Sequence, residues 1–332
     1  MRKAAGILAL VFGIAFLGMT YTNARLVGEA RAALAGSGAA PAPRTARYHL
    51  VAILPDTDDS FFGDLLRGIE EGAAAIDAAV QVFRYGSSMP QEAERYFEIA
   101  LRSKVDGVVM YARREDKIRG KEARAAAAGV AYVPVGTDAP SDSPAFFIGS
   151  GSFRQGEEGG KLIGAALGAG AKVGMILPAT GSGRVQDEPL YRGAASALKA
   201  YPGARIVAVA RAQAGLFSGE AVAEAMLRSE PRPNALLCST ARDTVGVAQV
   251  LIDQNQVGRI LVVGADETPE VIRYLDKGVV AASIVRDSRK MGGEAVRAFL
   301  TQRLGDGRAA TTETDVLIRG SRGSRGSSGG AP

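Results

Sequence analysis

Short polar segments that directly follow apolar runs carry most of the side chains able to do chemistry in this 332-residue chain. "PDTDDSFF" contains Asp59, Phe61 and Phe62, and "GTDAPSD" contains Asp138. "PATGSGRVQDEPLYRG" contains Arg192, "TARD" runs from Thr240 to Asp243, and "DETPE" opens on Asp266. Arg286 closes an apolar run just before "DSRK". Carboxylates and guanidinium forks bond paired hydroxyls, and aromatic faces pack on the C–H faces of a sugar ring. The palette is therefore that of a carbohydrate site. Phe61 and Phe62 stand out because aromatics are only 6% of the chain and Trp is absent. The same pair has a second reading, in which Phe61 opens a helix and packs into the core as a hydrophobic staple.

Other chemistries are poorly supplied. One His and one Cys cannot build a zinc site, which needs three or four such ligands. His49 lies in an apolar strand pattern, where it is badly placed for a Ser-His-Asp triad. Cys238 sits within "ALLCST" and is expected to be a buried, inert thiol. No G-x-x-x-x-G-K-[ST] loop occurs, which excludes a P-loop enzyme. "GSGSFRQG" at 149–156 lacks the G-x-G-x-x-G spacing, though it follows a strand and opens a helix. The net charge of +5 belongs partly to the flanks, and no basic helix with interleaved aromatics suggests nucleic acid. Nothing calls for a catalyst, a metal or a cofactor.

The elements that must position the polar segments follow from periodicity. Apolar strand-like runs fall at 48–54, 79–85, 106–111, 131–135, 145–150, 172–177, 204–210, 234–239, 259–265 and 281–286. Amphipathic helix patterns lie between them at 61–76, 91–102, 116–128, 153–167, 190–200, 219–228, 244–255 and 269–276, with a last one at 290–304. Such alternation predicts parallel sheets covered on both faces. Ten strands are many for one open sheet, so two doubly wound lobes are expected. Ligands of such sheets bind beyond the carboxyl ends of the strands, where the polar segments lie.

Arg2 and Lys3 precede the uncharged apolar run from Ala4 to Met19, a positive n-region followed by a hydrophobic segment. Residues 1–24 are expected to be either a signal peptide or a membrane anchor, the anchor using residues 4–22 with Arg2 and Lys3 inside. No lipid-attachment Cys follows, and no tidy cleavage site is present. Residues 25–47 end in "GSGAAPAPRTAR", a Gly, Ala and Pro linker. "RGSRGSRGSSGGAP", residues 319–332, is low-complexity and expected to be a disordered tail.

The body from Tyr48 to Ile318 resembles the type I periplasmic binding proteins of the ribose-binding-like sugar-binding family. The resemblance is carried by "LPDTDDSFFGDLLRGIEEGA", "SKVDGVVMY", "VGTDAPSDSPAFFIGSGSFRQGEEGGKLIG", "YRGAASAL", "ALLCSTARDTVGVAQVL" and "VVGADETPEVIRYLDKGVVAASIVRDSRKMGGEAV". It implies two lobes closing on a ligand about a hinge of three crossings, near 149–151, 286–287 and 309–312. The lobes would be 48–150 plus 287–311 and 151–286 plus 312–318. It implies ligand contacts at Asp59, Phe61 and Phe62, bidentate hydroxyl bonding by Asp266, and a hinge position for Arg286. Thr240 stands where Asn is usual, with Asp243 three residues on. Arg192 lies near the place of a ligand-binding Arg, which Leu190 occupies. Gly136 and Gly151 replace usual Asp residues, with Asp138 two residues after Gly136. The implied partners are an ABC permease or, for an anchored receptor, a membrane sensor kinase. A doubly wound enzyme is the reading from another class.

Overall fold

The structure is a computed structural model that describes residues 46–57, 59–86, 89–142, 145–178, 184–212, 218–305, 311–314 and 316–321. The expected leader, most of the linker and the tail beyond Ser321 lie outside them. Among the described residues no helix is long and apolar enough to cross a membrane.

Two six-stranded sheets form the frame. The first holds β1 (Tyr48–Asp56), β2 (Ala78–Gly86), β3 (Gly107–Tyr111), β4 (Ala131–Gly136), β5 (Phe147–Gly149) and β11 (Thr311–Glu313), in the order β11-β5-β4-β3-β1-β2. The second holds β6 (Lys172–Leu177), β7 (Arg205–Arg211), β8 (Ala235–Cys238), β9 (Leu261–Ala265), β10 (Ala282–Arg286) and β12 (Val316–Gly320), in the order β12-β10-β9-β8-β6-β7. All neighbours are parallel except β12, which runs antiparallel to β10. The inner strands are apolar because both their faces are covered; β8 is buried at every position, whereas the edge strands β2, β7 and β12 are partly exposed.

The helices are α1 (Ser60–Ala75), α2 (Pro90–Arg102), α3 (Arg119–Ala127), α4 (Ser152–Leu167), α5 (Pro189–Leu198), α6 (Ser218–Leu227), α7 (Ala241–Asp253), α8 (Pro269–Asp276) and α9 (Ser288–Leu304). In each lobe a pair of helices packs backbone to backbone. A Cβ on Gly68 of α1 would stand 1.9 Å from the Arg289 carbonyl oxygen of α9, and one on Gly193 of α5 would stand 1.9 Å from the Phe153 oxygen of α4. No side chain fits those approaches. α9 follows a second-sheet strand yet belongs to the first lobe. Its Gln302 exchanges two hydrogen bonds with the Tyr132 backbone of β4, at 3.1 and 3.0 Å.

The chain changes sheets between β5 and β6, returns after β10, and leaves again between β11 and β12. The first passage uses Gly151, whose φ of 67° lies in the region that favours glycine. The last passage falls between Glu313 and Val316, beyond the expected 309–312, because β11 pairs with β5 through Glu313. Thr312 and Glu313 thus belong to the first lobe. β12 also runs past Ile318, where the low-complexity composition set the end of the body: Arg319 and Gly320 pair with Ser283 and Ala282.

Candidate functional site

The two lobes enclose a cavity of about 830 Å³ at the carboxyl ends of their strands. Its first-lobe wall begins at the turn after β1. Asp59 caps α1, its carboxylate accepting the Phe61 N–H at 3.0 Å. That cap starts the helix at once, so Phe61 and Phe62 fall in its first turn and face inward. Both are buried in the first-lobe core cluster, and both also line the cavity. Their rings meet edge to face at 5.2 Å, and Phe62 meets Tyr111 of β3 in the same manner at 4.9 Å. The pair thus belongs to the core and also borders the cavity. Asp138, after β4, accepts the Ser152 N–H at 2.9 Å. It supplies α4 with the cap that Gly151 cannot.

The second-lobe wall is built from the tips of β6, β7, β8, β9 and β10. Thr240 caps α7 by accepting the Asp243 N–H at 3.2 Å. In return its hydroxyl donates to the Asp243 carboxylate at 2.8 Å, and Ser239 donates to the same carboxylate oxygen at 3.2 Å. Arg286 lies across the cleft from Phe61, its guanidinium carbon 4.6 Å from the ring centroid. The guanidinium is held by both oxygens of Asp266. Nε donates to Oδ1 at 2.9 Å, Nη2 donates to Oδ2, and the Arg286 backbone N–H also donates to Oδ1 at 3.3 Å. Asp266 has φ 56°, a left-handed conformation that Asp tolerates better than most side chains.

Asp59, Phe61, Phe62, Asp138, Thr240, Asp243 and Arg286 thus come together around one cavity. Asp266 does not line it. Where a direct ligand contact is expected, its carboxylate instead receives Arg286, which does line the cavity. Arg192 does not line it either, and is exposed. Leu190 turns inward on α5, 3% exposed, and two residues further on the helix has rotated about 200°. Tyr111 and Tyr85 also line the cavity. Each is the last residue of an apolar run, so the strand-tip rule applied one residue earlier would have found both. Gln155, 2% exposed, reaches the cavity from α4 and donates to the Ser239 carbonyl at 3.3 Å. A Gln within a helical pattern gave no sign of this.

Burial raises the pKa of Asp59, Asp138 and Asp243 above the ordinary carboxylate value. For Asp59, Arg286 pulls the other way and Asp266 adds to the rise. Ser152 partly offsets the rise at Asp138, and Thr240 and Ser239 do so at Asp243. A raised carboxyl holds its proton more tightly in the folded chain than in the unfolded one. Its contribution to stability is therefore present at low pH and lost as pH climbs through the raised pKa. Ligand hydroxyls donate to the ionised form and so draw it out. Affinity for a neutral polyhydroxyl ligand should consequently rise across the window that starts at the ordinary Asp pKa, near 3.9, and ends above the raised values. Calorimetry between about pH 4 and about pH 8 checks this, and a flat affinity profile would count against these carboxylates as acceptors. Cys238 is fully buried, and burial pushes its thiol pKa up, so it offers no nucleophile.

Residues 50–306 match the periplasmic binding protein domain family, and the chain belongs to that family. The D-allose-binding periplasmic protein of Escherichia coli (strain K12) is 23% identical over 257 residues, which are 75% of this chain and 82% of that protein. A solute-binding protein of an ABC transporter from Burkholderia graminis C4D1M, solved in complex with D-arabinose, superposes with a TM-score of 0.75 at 22% identity. It covers 83% of this chain and 96% of its own. The XylFII–LytSN complex superposes with a TM-score of 0.71 at 22% identity, over 82% of this chain and 98% of that one. The fold is that of the type I periplasmic binding proteins, and the chain is a binding protein rather than an enzyme.

Proposed function

We propose that the chain binds a sugar or sugar-like small molecule in the cleft outside the cytoplasm, closes its lobes around it, and presents it to an ABC permease. One observation carries this reading. Asp59 and Asp138 from the first lobe and Asp243 from the second line the same cavity as Phe61, Phe62, Tyr111 and the pinned Arg286. Carboxylates accept from hydroxyls, the guanidinium donates to them, and rings pack on C–H faces. A ligand held by both lobes stabilises their closed arrangement, and that differential affinity is what drives closure. The relatives that bind D-allose and D-arabinose support the ligand class.

A second reading keeps the cleft and changes the partner. The XylFII–LytSN complex joins a protein of this fold to a second protein. With an apolar run behind Arg2 and Lys3, it supports a receptor tethered at the membrane that reports its liganded state to a sensor kinase. The test common to both readings is a thermal-shift screen against pentoses, hexoses and their derivatives. A ligand at a hundred times its dissociation constant should stabilise the fold by about 2.7 kcal/mol and emerge chemically unchanged. A screen in which no carbohydrate shifts the transition would reject both.

A further inference from the structure

The cavity exceeds what one sugar ring fills, although the lobes already touch across it. Arg114 donates to the Asp187 carbonyl at 3.2 Å, and Arg286 covers Phe61, so groups of the two lobes meet in two places. The space between them is still about 830 Å³. A hexose displaces roughly six waters, about 180 Å³ at about 30 Å³ each.

The lining shows where the surplus lies. On the first lobe it passes from Asp138, after β4, through Tyr111 of β3 and Phe61 after β1, to Tyr85 at the end of β2. These strands are consecutive neighbours. At about 4.8 Å between strands, the lining spans roughly 14 Å. Asp138, Tyr111 and Phe61 stand at the tips of the first three of these strands, and Tyr85 closes the last. Over the sheet face opposite to the Phe61 cluster, where α2 and α3 cover the tips of β2 and β3, the lining continues into an arm of Tyr85, Ala93, Glu94, Met110 and Lys121.

We propose that this arm is a second subsite, and that the ligand is a disaccharide or a glycoside whose second unit is neutral and hydroxylated. The proposal rests on the sugar-binding reading above. The arm's charges are already matched. Lys121 Nζ lies 2.9 Å from Glu94, and the neighbouring Arg113 lies 3.0 Å from Asp116. A charged second unit would have to break one of these pairs. Hydroxyls can bond to the same pairs without doing so. Tyr85, Ala93 and Met110, each under 9% exposed, give the arm an apolar floor for the C–H side of a second ring.

The test is titration calorimetry on the purified full-length chain. Lactose, cellobiose, maltose and melibiose are compared with D-glucose and D-galactose. At least one disaccharide should bind ten-fold or more tighter than either of its constituents. Ala93→Phe, which fills the arm, should reduce that disaccharide to the affinity of its constituents while leaving monosaccharide affinity unchanged. The unchanged monosaccharide affinity reports an intact fold. Lys121→Met, which takes one donor out of the arm, should likewise lower disaccharide affinity alone. If a monosaccharide binds as tightly as every disaccharide, or if Ala93→Phe leaves disaccharide affinity intact, the arm is no subsite and the sugar-binding reading stands without it. If no carbohydrate of either size binds, both fall together.

Discussion

Asp266→Ala should lower the unfolding free energy by about 3–5 kcal/mol and remove ligand binding with it. The carboxylate receives Nε and Nη2 of Arg286 and its backbone N–H. Arg286 is only 9% exposed and Asp266 4%. Burial opposes the charge on Arg286, and attraction to Asp266 outweighs it, so the guanidinium stays firmly protonated. Removing the carboxylate leaves a buried cation without its partner, the costly way to break such a pair. It also unfixes the guanidinium that lines the cavity. The double change Asp266→Ala with Arg286→Met removes both charges. It should recover much of the stability, because an apolar replacement of a buried pair is often neutral or better. It should not recover affinity, because the cavity has lost the Arg286 guanidinium. Denaturant unfolding and calorimetry on the two variants separate the effects. A double variant that binds like the unaltered chain would show that the pair serves the fold alone.

The fold was legible because its signals are periodic. Apolar runs such as "NALLCS" and "RILVVGA" are strands buried on both faces, and the amphipathic patterns between them are helices whose ends fall within three residues of expectation. β11 and β12 were not legible. Thr311–Glu313 is too short to show a period, and Arg319 and Gly320 pair with β10 through backbone bonds that their low-complexity composition hides. The site was legible at the level of strand tips, since parallel topology collects them at one end. What each tip does was not. The sequence gives no means of telling that Asp266 turns to Arg286 rather than to the cavity, because the two are 20 residues apart and meet only when β9 and β10 pair. Arg192 misled for the opposite reason. Proximity along a helix is not proximity in space, and two residues are enough to cross from the buried face to the exposed one.

Phe61 and Phe62 are adjacent and both buried, and their substitutions should nonetheless separate. Alanine at either position should cost about 3–5 kcal/mol of stability, since each ring is under 9% exposed within the first-lobe core. That shared loss masks any difference in role, so leucine is the informative replacement. It keeps an apolar side chain at a cost of less than about 1.5 kcal/mol where repacking is possible, and it removes the ring face. Phe61 offers its face across the cleft, where Arg286 now lies. Phe62 is held edge to face by Phe61 on one side and Tyr111 on the other. Phe61→Leu should therefore weaken sugar binding by about 0.5–1.5 kcal/mol beyond the area lost. It also releases the guanidinium from its ring, a contact worth about 0.5–2 kcal/mol where water is excluded. Phe62→Leu should lower stability slightly and leave affinity nearly unchanged. Calorimetry with the tightest-binding sugar, alongside unfolding curves, reads both quantities on both variants. Equal losses of affinity would mean that the rings act as one surface. No loss at either would mean that the pair is a core staple, placed at the strand tip to anchor α1 rather than to meet a ligand.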